Sequence, residues 1–297
     1  MLPELLKKGD TIAVLAPAKG IEDEYIAFAV KTIENKGFKA LVSKNCLGQH
    51  NYFSGTIKER IDDLQWAIDN DNVKAILCAR GGYGCIQLLD RINWAAFLED
   101  PKWIIGFSDV TVFHQHLAKI GSASLHATMP LNFKTNSPAA IESLFDCLKT
   151  GKIQYDWETK HHNSVGVTNG EVVGGNLAVL CGLIGTKHMP DYQNKLLFLE
   201  DVGEHLYAVD RYFYQLSKSG VFDQIRGLIV GDFSGMKDTN PPYGSDLQSI
   251  IKSHFTYQSI PIAFDFPAGH LDDNRALILG KNAKFNVREN SAELIYD

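Results

Sequence analysis

Hydrophobic positions in the first half of the chain alternate between short continuous runs and stripes with helical spacing. Residues 11–16 form an apolar run that stops at Pro17, which is typical of a buried parallel strand. Residues 21–35 carry apolar positions at helical spacing and end before Gly37, a favourable helix C-cap. Further apolar runs lie at 40–42, 73–78, 103–106 and 122–126, and further helical stripes at 56–70 and 110–119. This strand–helix–strand order predicts a parallel sheet with helices on both faces.

The chain changes character at residues 150–170, which are polar and irregular. Beyond them, strands are predicted at 196–199, 228–231, 262–264, 276–279, 285–287 and 292–295, and helices at 207–218 and 245–255. We therefore predict an α/β protein with two domains. A Rossmann- or flavodoxin-like parallel-sheet domain covers 1–150, a crossover covers 151–170, and a β-rich α/β domain covers 171–297.

Charge and cysteine content narrow the class of protein further. A net charge of -6 disfavours a nucleic-acid partner bound through its phosphates. No run approaches the roughly 18–20 apolar residues of a membrane helix, and the charged N-terminus is unlike a signal peptide. The five cysteines are odd in number and lack a Cys-x-x-Cys pair, so we expect reduced thiols in a cytoplasmic protein. No sequence motif indicates a metal, and we expect no cofactor.

Ser108 is the strongest candidate nucleophile. The buried strand at 103–105 continues through Gly106 to Ser108 and Asp109 and then directly into a helix. A serine at such a turn projects its hydroxyl from the carboxyl edge of the sheet, where active sites of α/β proteins lie. The backbone N–H of Asp109 is then available to a developing oxyanion. The alternative is that Ser108 or Asp109 only caps the helix.

A glycine-rich loop, residues 80–84, follows the neighbouring strand at 73–78. Its glycines allow the backbone to approach a ligand closely and to turn N–H groups towards it. The spacing fits neither the dinucleotide-binding nor the P-loop motif. Because the loop lies at the same sheet edge as Ser108, we expect a role in binding an oxyanion, with a simple tight turn as the alternative.

The candidate acid and base follow strands of the second half. Glu200 directly follows the apolar strand at 196–199 and is the candidate acid that orients a histidine. Asp201 and Glu204, which lie close to it, are alternative acids. The whole segment could also be a solvated acidic loop without a catalytic role. His270 lies in a loop shaped by proline and glycine after the strand at 262–264. Because imidazole titrates near neutral pH, His270 is suited to accept the proton of a serine hydroxyl.

These segments, in this order, resemble the LD-carboxypeptidase family of serine peptidases, which includes muramoyl-tetrapeptide carboxypeptidases and microcin C immunity peptidases. The resemblance covers nearly the whole chain. It rests on the segments 9–14, 80–84, 105–111, 174–177, 198–204 with Tyr207, Asp210 and Arg211, and 269–270.

The resemblance implies a role for each candidate residue. Ser108 is the nucleophile, His270 the general base, and Glu200 the acid that orients it, in preference to its neighbours. The oxyanion hole consists of the backbone N–H groups of Gly82 and Asp109. By the same resemblance we expect an active site between the two domains, a homodimer, and no metal in the reaction.

The reaction implied by the resemblance releases the terminal D-alanine of a murein tetrapeptide by hydrolysing an L,D-peptide bond through an acyl-enzyme. A free terminal carboxylate calls for a cationic pocket, to which Arg80 is placed to contribute; a structural ion pair is the alternative role of Arg80. No counterpart of the nucleotide-embracing loop of the immunity peptidases is evident between 231 and 243, which favours the murein peptide as substrate.

Two other classes of function compete with this interpretation. An ordinary α/β-hydrolase esterase shares the chain order Ser, acid, His, but its Gly-x-Ser-x-Gly elbow requires glycine where this chain has Val110. A non-enzymatic protein with two lobes that binds a small ligand also fits the pattern, and it needs no nucleophile.

Overall fold

The structure is a computed structural model that describes residues 1–296. The strands, in chain order, are β1 (Thr11–Leu15), β2 (Lys39–Val42), β3 (Val73–Cys78), β4 (Trp103–Gly106), β5 (Ser124–His126), β6 (Gln154–Glu158), β7 (Gly166–Asn176), β8 (Leu196–Val202), β9 (Gly227–Ser234), β10 (Ile262–Ala263), β11 (Leu277–Leu279), β12 (Asn282–Val287) and β13 (Ser291–Tyr296). The helices are α1 (Asp23–Asn35), α2 (Ile57–Asp69), α3 (Ala95–Glu99), α4 (Thr111–Lys119), α5 (Pro138–Thr150), α6 (Leu177–Cys181), α7 (Leu206–Lys218), α8 (Val221–Gln224) and α9 (Leu247–Ser253).

The first sheet has the strand order β11-β5-β4-β3-β1-β2, with β1 to β5 parallel. Its inner strands are continuous apolar runs because both of their faces are buried. The predicted parallel α/β sheet is therefore confirmed. One strand was not predicted in this sheet: β11, from the C-terminal part of the chain, returns to pair antiparallel with β5.

The second sheet has the order β10-β9-β8-β7-β12-β13-β6. The pairs among β7 to β10 are parallel, whereas β12, β13 and β6 add antiparallel strands. The predicted irregular character of 151–170 is wrong in part, because β6 and the start of β7 lie there. In β6 only Tyr155 and Trp157 face the core, so the strand alternates with exposed polar residues and lacks an apolar run. The division into domains stays a prediction.

Helix α4 joins the two sheets. The backbone N–H of Asn176 donates a 2.9 Å hydrogen bond to Thr111 Oγ1, and Gln115 Nε2 donates a 2.8 Å bond to the carbonyl of Gly174. A Cβ atom on Gly175 would lie 2.5 Å from Thr111 Oγ1, so only glycine permits this approach. The helix that follows Ser108 is thus fixed against the end of β7.

Candidate active site

The backbone holds Ser108 in an uncommon conformation. Its φ of 62° lies in the left-handed region, which costs a serine of the order of 1–3 kcal/mol and persists only where the surroundings impose it. Ser108 opens a 3-10 turn between β4 and α4 and is half-buried. Its hydroxyl forms no hydrogen bond with any of residues 1–296. The turn therefore presents a free hydroxyl at the carboxyl edge of the first sheet.

The glycine loop packs directly against this hydroxyl. A Cβ atom on Gly81 would lie 3.0 Å from Ser108 Oγ and 3.2 Å from the backbone nitrogen of Asp109, so a side chain at this position would crowd the serine. Gly82 follows with a φ of 107°, a conformation that favours glycine. Among the described residues, neither the Gly82 nor the Asp109 N–H has a hydrogen-bond partner. The two predicted oxyanion donors are thus unpaired and lie in segments that meet at Ser108.

Two buried charged side chains hold the glycine loop in place. The Asp109 carboxylate accepts a 2.8 Å hydrogen bond from the backbone N–H of Cys85, and Arg60 Nη1 donates to the carbonyls of Gly84 (3.2 Å) and Pro17 (3.0 Å). Burial raises the pKa of Asp109, while the bond from Cys85 and the charge of Arg60 oppose this rise. The Asp109 side chain therefore has a structural role, distinct from the one predicted for its backbone.

Sequence reasoning missed Arg60. It lies on the apolar stripe of α2, one turn after Ile57 and one turn before Leu64, and only 2% of its surface is exposed. An arginine at core spacing in a helix is unusual, because its charge must be hydrogen-bonded when buried. The place of Arg60 on the apolar stripe of α2 was the sequence signal from which a buried, hydrogen-bonded arginine could have been predicted.

Glu200 and His270 form a direct pair. Glu200 is fully buried within β8, which continues past the predicted end at 199 to Val202, and its Oε2 lies 2.7 Å from Nδ1 of His270. Burial lowers the pKa of His270, but the hydrogen bond and the negative charge of Glu200 outweigh it, so the pKa lies above its ordinary value. When His270 is neutral, its Nδ1–H group donates a hydrogen bond to Glu200. The unprotonated Nε2 is then the atom that can accept a proton.

The other two carboxylates have different surroundings. Asp201 accepts hydrogen bonds from Asn176 Nδ2 (3.0 Å) and from the backbone N–H groups of Ala178 (3.0 Å) and Val202 (2.8 Å). Burial is the main cause that raises the pKa of Asp201 to about 6. Glu204 forms no hydrogen bond with His270 within residues 1–296. Of the three candidates, Glu200 is the one in contact with the histidine.

Nucleophile and base are brought near each other through Phe107. The His270 ring packs edge-on against the Phe107 ring at a centroid distance of 4.9 Å, and Phe107 precedes Ser108 in the chain. No hydrogen bond joins Ser108 Oγ to His270 in the part of the chain that the structure describes. Catalytic hydrogen bonds are often long in the absence of substrate. The catalytic roles of these residues stay predictions.

Arg80 is half-buried beside the glycine loop. Its Nη1 donates a 2.9 Å hydrogen bond to the carbonyl of Gly20, and it forms no ion pair with any carboxylate of the described chain. The structural ion pair considered as its alternative role is therefore not present among residues 1–296.

Metal sites, disulfides and membrane-spanning helices were also considered for the described part of the chain. Residues 1–296 contain no group of three or more His, Cys, Asp or Glu side chains arranged to hold a metal ion. All five cysteines are buried and unpaired. None of the described helices combines the length and apolar character that crossing a membrane requires.

Comparison with known proteins gives consistent matches across the chain. The N-terminal domain of the LD-carboxypeptidase family matches residues 12–127, and its C-terminal domain matches residues 169–285. The murein tetrapeptide carboxypeptidase of Pseudomonas aeruginosa is 28% identical, over 92% of each chain. The crystal structure of a muramoyltetrapeptide carboxypeptidase from Oxalobacter formigenes superposes with a TM-score of 0.89 at 28% identity, over 96% of this chain and 98% of that one. The microcin C7 self-immunity protein MccF of Escherichia coli is 26% identical, over 94% of this chain and 91% of its own.

Proposed function

We propose that this chain, which belongs to the LD-carboxypeptidase family of serine peptidases, releases the terminal D-alanine of a murein tetrapeptide. The observation that carries the proposal is the 2.7 Å contact between Glu200 and His270, which lies next to the strained turn of Ser108. A buried carboxylate that orients a histidine near an unpaired serine hydroxyl is the arrangement that nucleophilic acyl transfer requires.

In the proposed first step, Ser108 Oγ attacks the scissile carbonyl carbon while His270 Nε2 takes the hydroxyl proton. A short approach of His270 to Ser108 accompanies substrate binding, because no hydrogen bond joins them beforehand. Glu200 stabilises the imidazolium that forms. The carbonyl electron pair moves to oxygen, and the N–H groups of Gly82 and Asp109 stabilise the resulting oxyanion.

In the second step, the oxyanion collapses and the carbon–nitrogen bond breaks. The imidazolium of His270 gives its proton to the leaving nitrogen, so that D-alanine departs as an amine and the tripeptide remains bound as an ester of Ser108. A water molecule, deprotonated by His270, then hydrolyses the ester and restores the free hydroxyl. Each proton taken by His270 is returned, so the enzyme is unchanged after a cycle.

A second candidate is a microcin C-type immunity peptidase. The similarity to the microcin C7 self-immunity protein favours it, and the same serine, histidine and glutamate would serve both substrates. The sequence between 231 and 243 offers no evident counterpart of the nucleotide-embracing loop of such peptidases. We therefore place the murein peptide first. The α/β-hydrolase esterase interpretation is wrong, because the chain has the two-sheet fold of a different peptidase family.

We further propose that the protein is a cytoplasmic homodimer. The resemblance to the family supports the dimer, and the five buried, unpaired thiols are compatible with a reducing compartment. Light scattering on the purified protein tests the oligomeric state, and a monomer at micromolar concentration would contradict it.

Incubation with muramoyl tetrapeptide tests the proposed reaction. Mass spectrometry should detect tripeptide and free D-alanine in equal amounts, and the Ser108→Ala variant should form neither above the buffer rate. A matched incubation with an aminoacyl-nucleotide of the microcin type separates the second candidate. Turnover of the nucleotide conjugate without turnover of the tetrapeptide would contradict the murein proposal.

A further inference from the structure

A cleft of about 270 Å³ lies beside the glycine loop. Lys19, Tyr52 and Arg80 are among the side chains that line it. A Cβ atom on Gly82 would lie 2.8 Å from Tyr52 Oη and 3.0 Å from Lys19 Cβ, so these side chains touch the loop at the predicted oxyanion donor. The preceding residue, Gly81, contacts Ser108. The cleft therefore adjoins the position where the scissile carbonyl oxygen binds in the proposed reaction.

The polar groups of this cleft are largely unpaired. Within residues 1–296, Lys19 Nζ forms no ion pair and Tyr52 Oη no hydrogen bond; the ammonium lies 5.1 Å from the centre of the Tyr52 ring. Arg80 uses Nη1 for the carbonyl of Gly20, and its buried Nε has no partner among the described residues. The lining contains one carboxylate, Glu22, which pairs with neither cation in the described chain. Two cations and a phenol are therefore available to an anion.

Backbone contacts tie both cations to the segments around the glycine loop. The N–H of Lys19 donates a 3.4 Å hydrogen bond to the carbonyl of Gly81, and Arg80 is the first residue of the loop itself. An anion bound here is consequently held in register with the oxyanion donors and with Ser108. A fixed distance between the carboxylate site and the oxyanion donors would let an exopeptidase select the last peptide bond of its substrate.

We propose that Lys19, Arg80 and Tyr52 bind the terminal carboxylate of the leaving residue, an inference that rests on the proposed carboxypeptidase function. In the leaving residue the carboxylate carbon is three bonds from the scissile carbonyl carbon, a separation of at most about 4 Å. With the scissile carbonyl oxygen at Gly82, the carboxylate falls within reach of a neighbouring cation. A peptide extended beyond this residue has a neutral amide at the same place and loses the charge-assisted hydrogen bonds.

The test compares two substrates that differ only at this group: the tetrapeptide with a free C-terminus and the same tetrapeptide as its C-terminal amide. We expect the wild-type protein to prefer the free acid by at least about 100-fold in kcat/KM. A hydrogen bond to a charged group contributes enough for a roughly 10- to 100-fold effect. Lys19→Met should therefore lower kcat/KM for the acid by about that factor and change it less than about twofold for the amide. Tyr52→Phe should show the same pattern more weakly, and Arg80→Lys should retain more acid preference than Arg80→Met.

Two control variants remove the same groups elsewhere. Lys44→Met removes an exposed ammonium and Tyr257→Phe an exposed hydroxyl, and neither should alter the ratio of acid to amide turnover. A loss in Lys19→Met that is equal for acid and amide would overturn the proposal, because it would assign Lys19 to shaping the oxyanion loop. An equal rate of the wild-type protein on both substrates would also overturn it.

Binding measurements separate this inference from the proposed function. In a Ser108→Ala background, the Kd of the free-acid tetrapeptide should rise about 10- to 100-fold when Lys19→Met is added, and the Kd of the amide should not change. Absence of wild-type turnover with this pattern of Kd values would refute the proposed reaction and retain the carboxylate site. Turnover without the pattern would refute the site alone.

Discussion

The two halves of the candidate site are held by different means. In the half from the first sheet, backbone geometry dominates: Ser108 has a left-handed φ, and the buried Asp109 carboxylate accepts a hydrogen bond from the N–H of Cys85, directly after the glycine loop. In the half from the second sheet, a direct side-chain contact dominates: Glu200 lies 2.7 Å from His270. Asn274 supports the loop that carries His270 by accepting a 2.9 Å hydrogen bond from the N–H of Gly269.

This difference shows which catalytic contacts are already formed in the structure and which are not. The acid–base pair is assembled within one half, whereas the contact between nucleophile and base must form between the halves. The bonds between α4 and β7 set the distance across that junction. Variants of the two halves and of the junction should consequently fail in different ways.

The largest effect is expected from removing either chemical group of the serine–histidine pair. Ser108→Ala and His270→Ala should each lower kcat on the tetrapeptide by about 10⁴- to 10⁶-fold, and the double variant should lose little more, because the groups act as one unit. Steady-state kinetics at pH 8 measure this. His50→Ala, which removes an exposed histidine, is the matched control. Additive losses in the double variant would show that the two halves act independently.

Glu200→Gln should lower kcat by about 10³- to 10⁴-fold, because the imidazolium loses its counter-charge. It should also move the pH profile. His270 must be neutral to accept a proton, so kcat/KM rises as the pH increases through its pKa. Because Glu200 raises that pKa, its neutralisation should shift the rising limb to lower pH.

The pH profile of kcat/KM from pH 5 to 9 measures the shift. An unchanged limb in Glu200→Gln would contradict the assignment of the pair. A Glu200→Ala variant with near-normal turnover, together with an inactive Glu204→Ala variant, would transfer the role to Glu204.

Arg60→Met tests the support of the glycine loop. We expect kcat to fall about 10- to 100-fold with a smaller change in KM, because the oxyanion donors lose their position after the substrate has bound. Lys102→Met is the matched control: Lys102 is also buried, and its Nζ donates to the carbonyls of Ala67, Ile68 and Asn70 at the other end of α2.

Both variants should lower the free energy of unfolding, and kinetics are compared at a temperature where both are folded. Only Arg60→Met should lower kcat. Equal kinetic losses in the two variants would show that Arg60 contributes general stability alone.

The smallest effect is expected at the junction. Thr111→Val leaves the buried N–H of Asn176 without its acceptor, which should lower the free energy of unfolding by about 1–3 kcal/mol. We expect kcat to fall less than about tenfold, because Gln115 still fastens α4 to β7. Urea denaturation measures the stability, with Thr32→Val, whose hydroxyl is exposed, as control. An unchanged stability would mean that this bond does not hold the halves together.

Much of the fold follows from patterns that are local in sequence. Continuous apolar runs predicted the parallel strands other than β7, which was missed, and a serine between a strand and a helix indicated the turn of the candidate nucleophile. The antiparallel strand β6 was missed because its apolar positions are only Tyr155 and Trp157. The return of β11 to the first sheet depends on pairing with β5, a contact across some 150 residues that no local pattern encodes.

The candidate site was predictable to a similar degree. Residue types and position after strands, together with the family resemblance, pointed to Ser108, Glu200 and His270. The left-handed backbone of Ser108 was not predictable, because it is imposed by tertiary packing. The hydrogen bonds from Arg60 to the glycine loop were missed because a charged side chain on a helix is usually expected to be exposed to solvent.

Detection of an acyl-enzyme tests the central claim most directly. Tetrapeptide is mixed with the protein and quenched in acid within milliseconds, and the intact protein is weighed before peptide mapping. We predict a mass increase equal to the tripeptide less one water, located on Ser108 and absent from Ser108→Ala. Release of D-alanine in a burst with no mass increase on any residue, or an increase on a residue other than Ser108, would contradict the account.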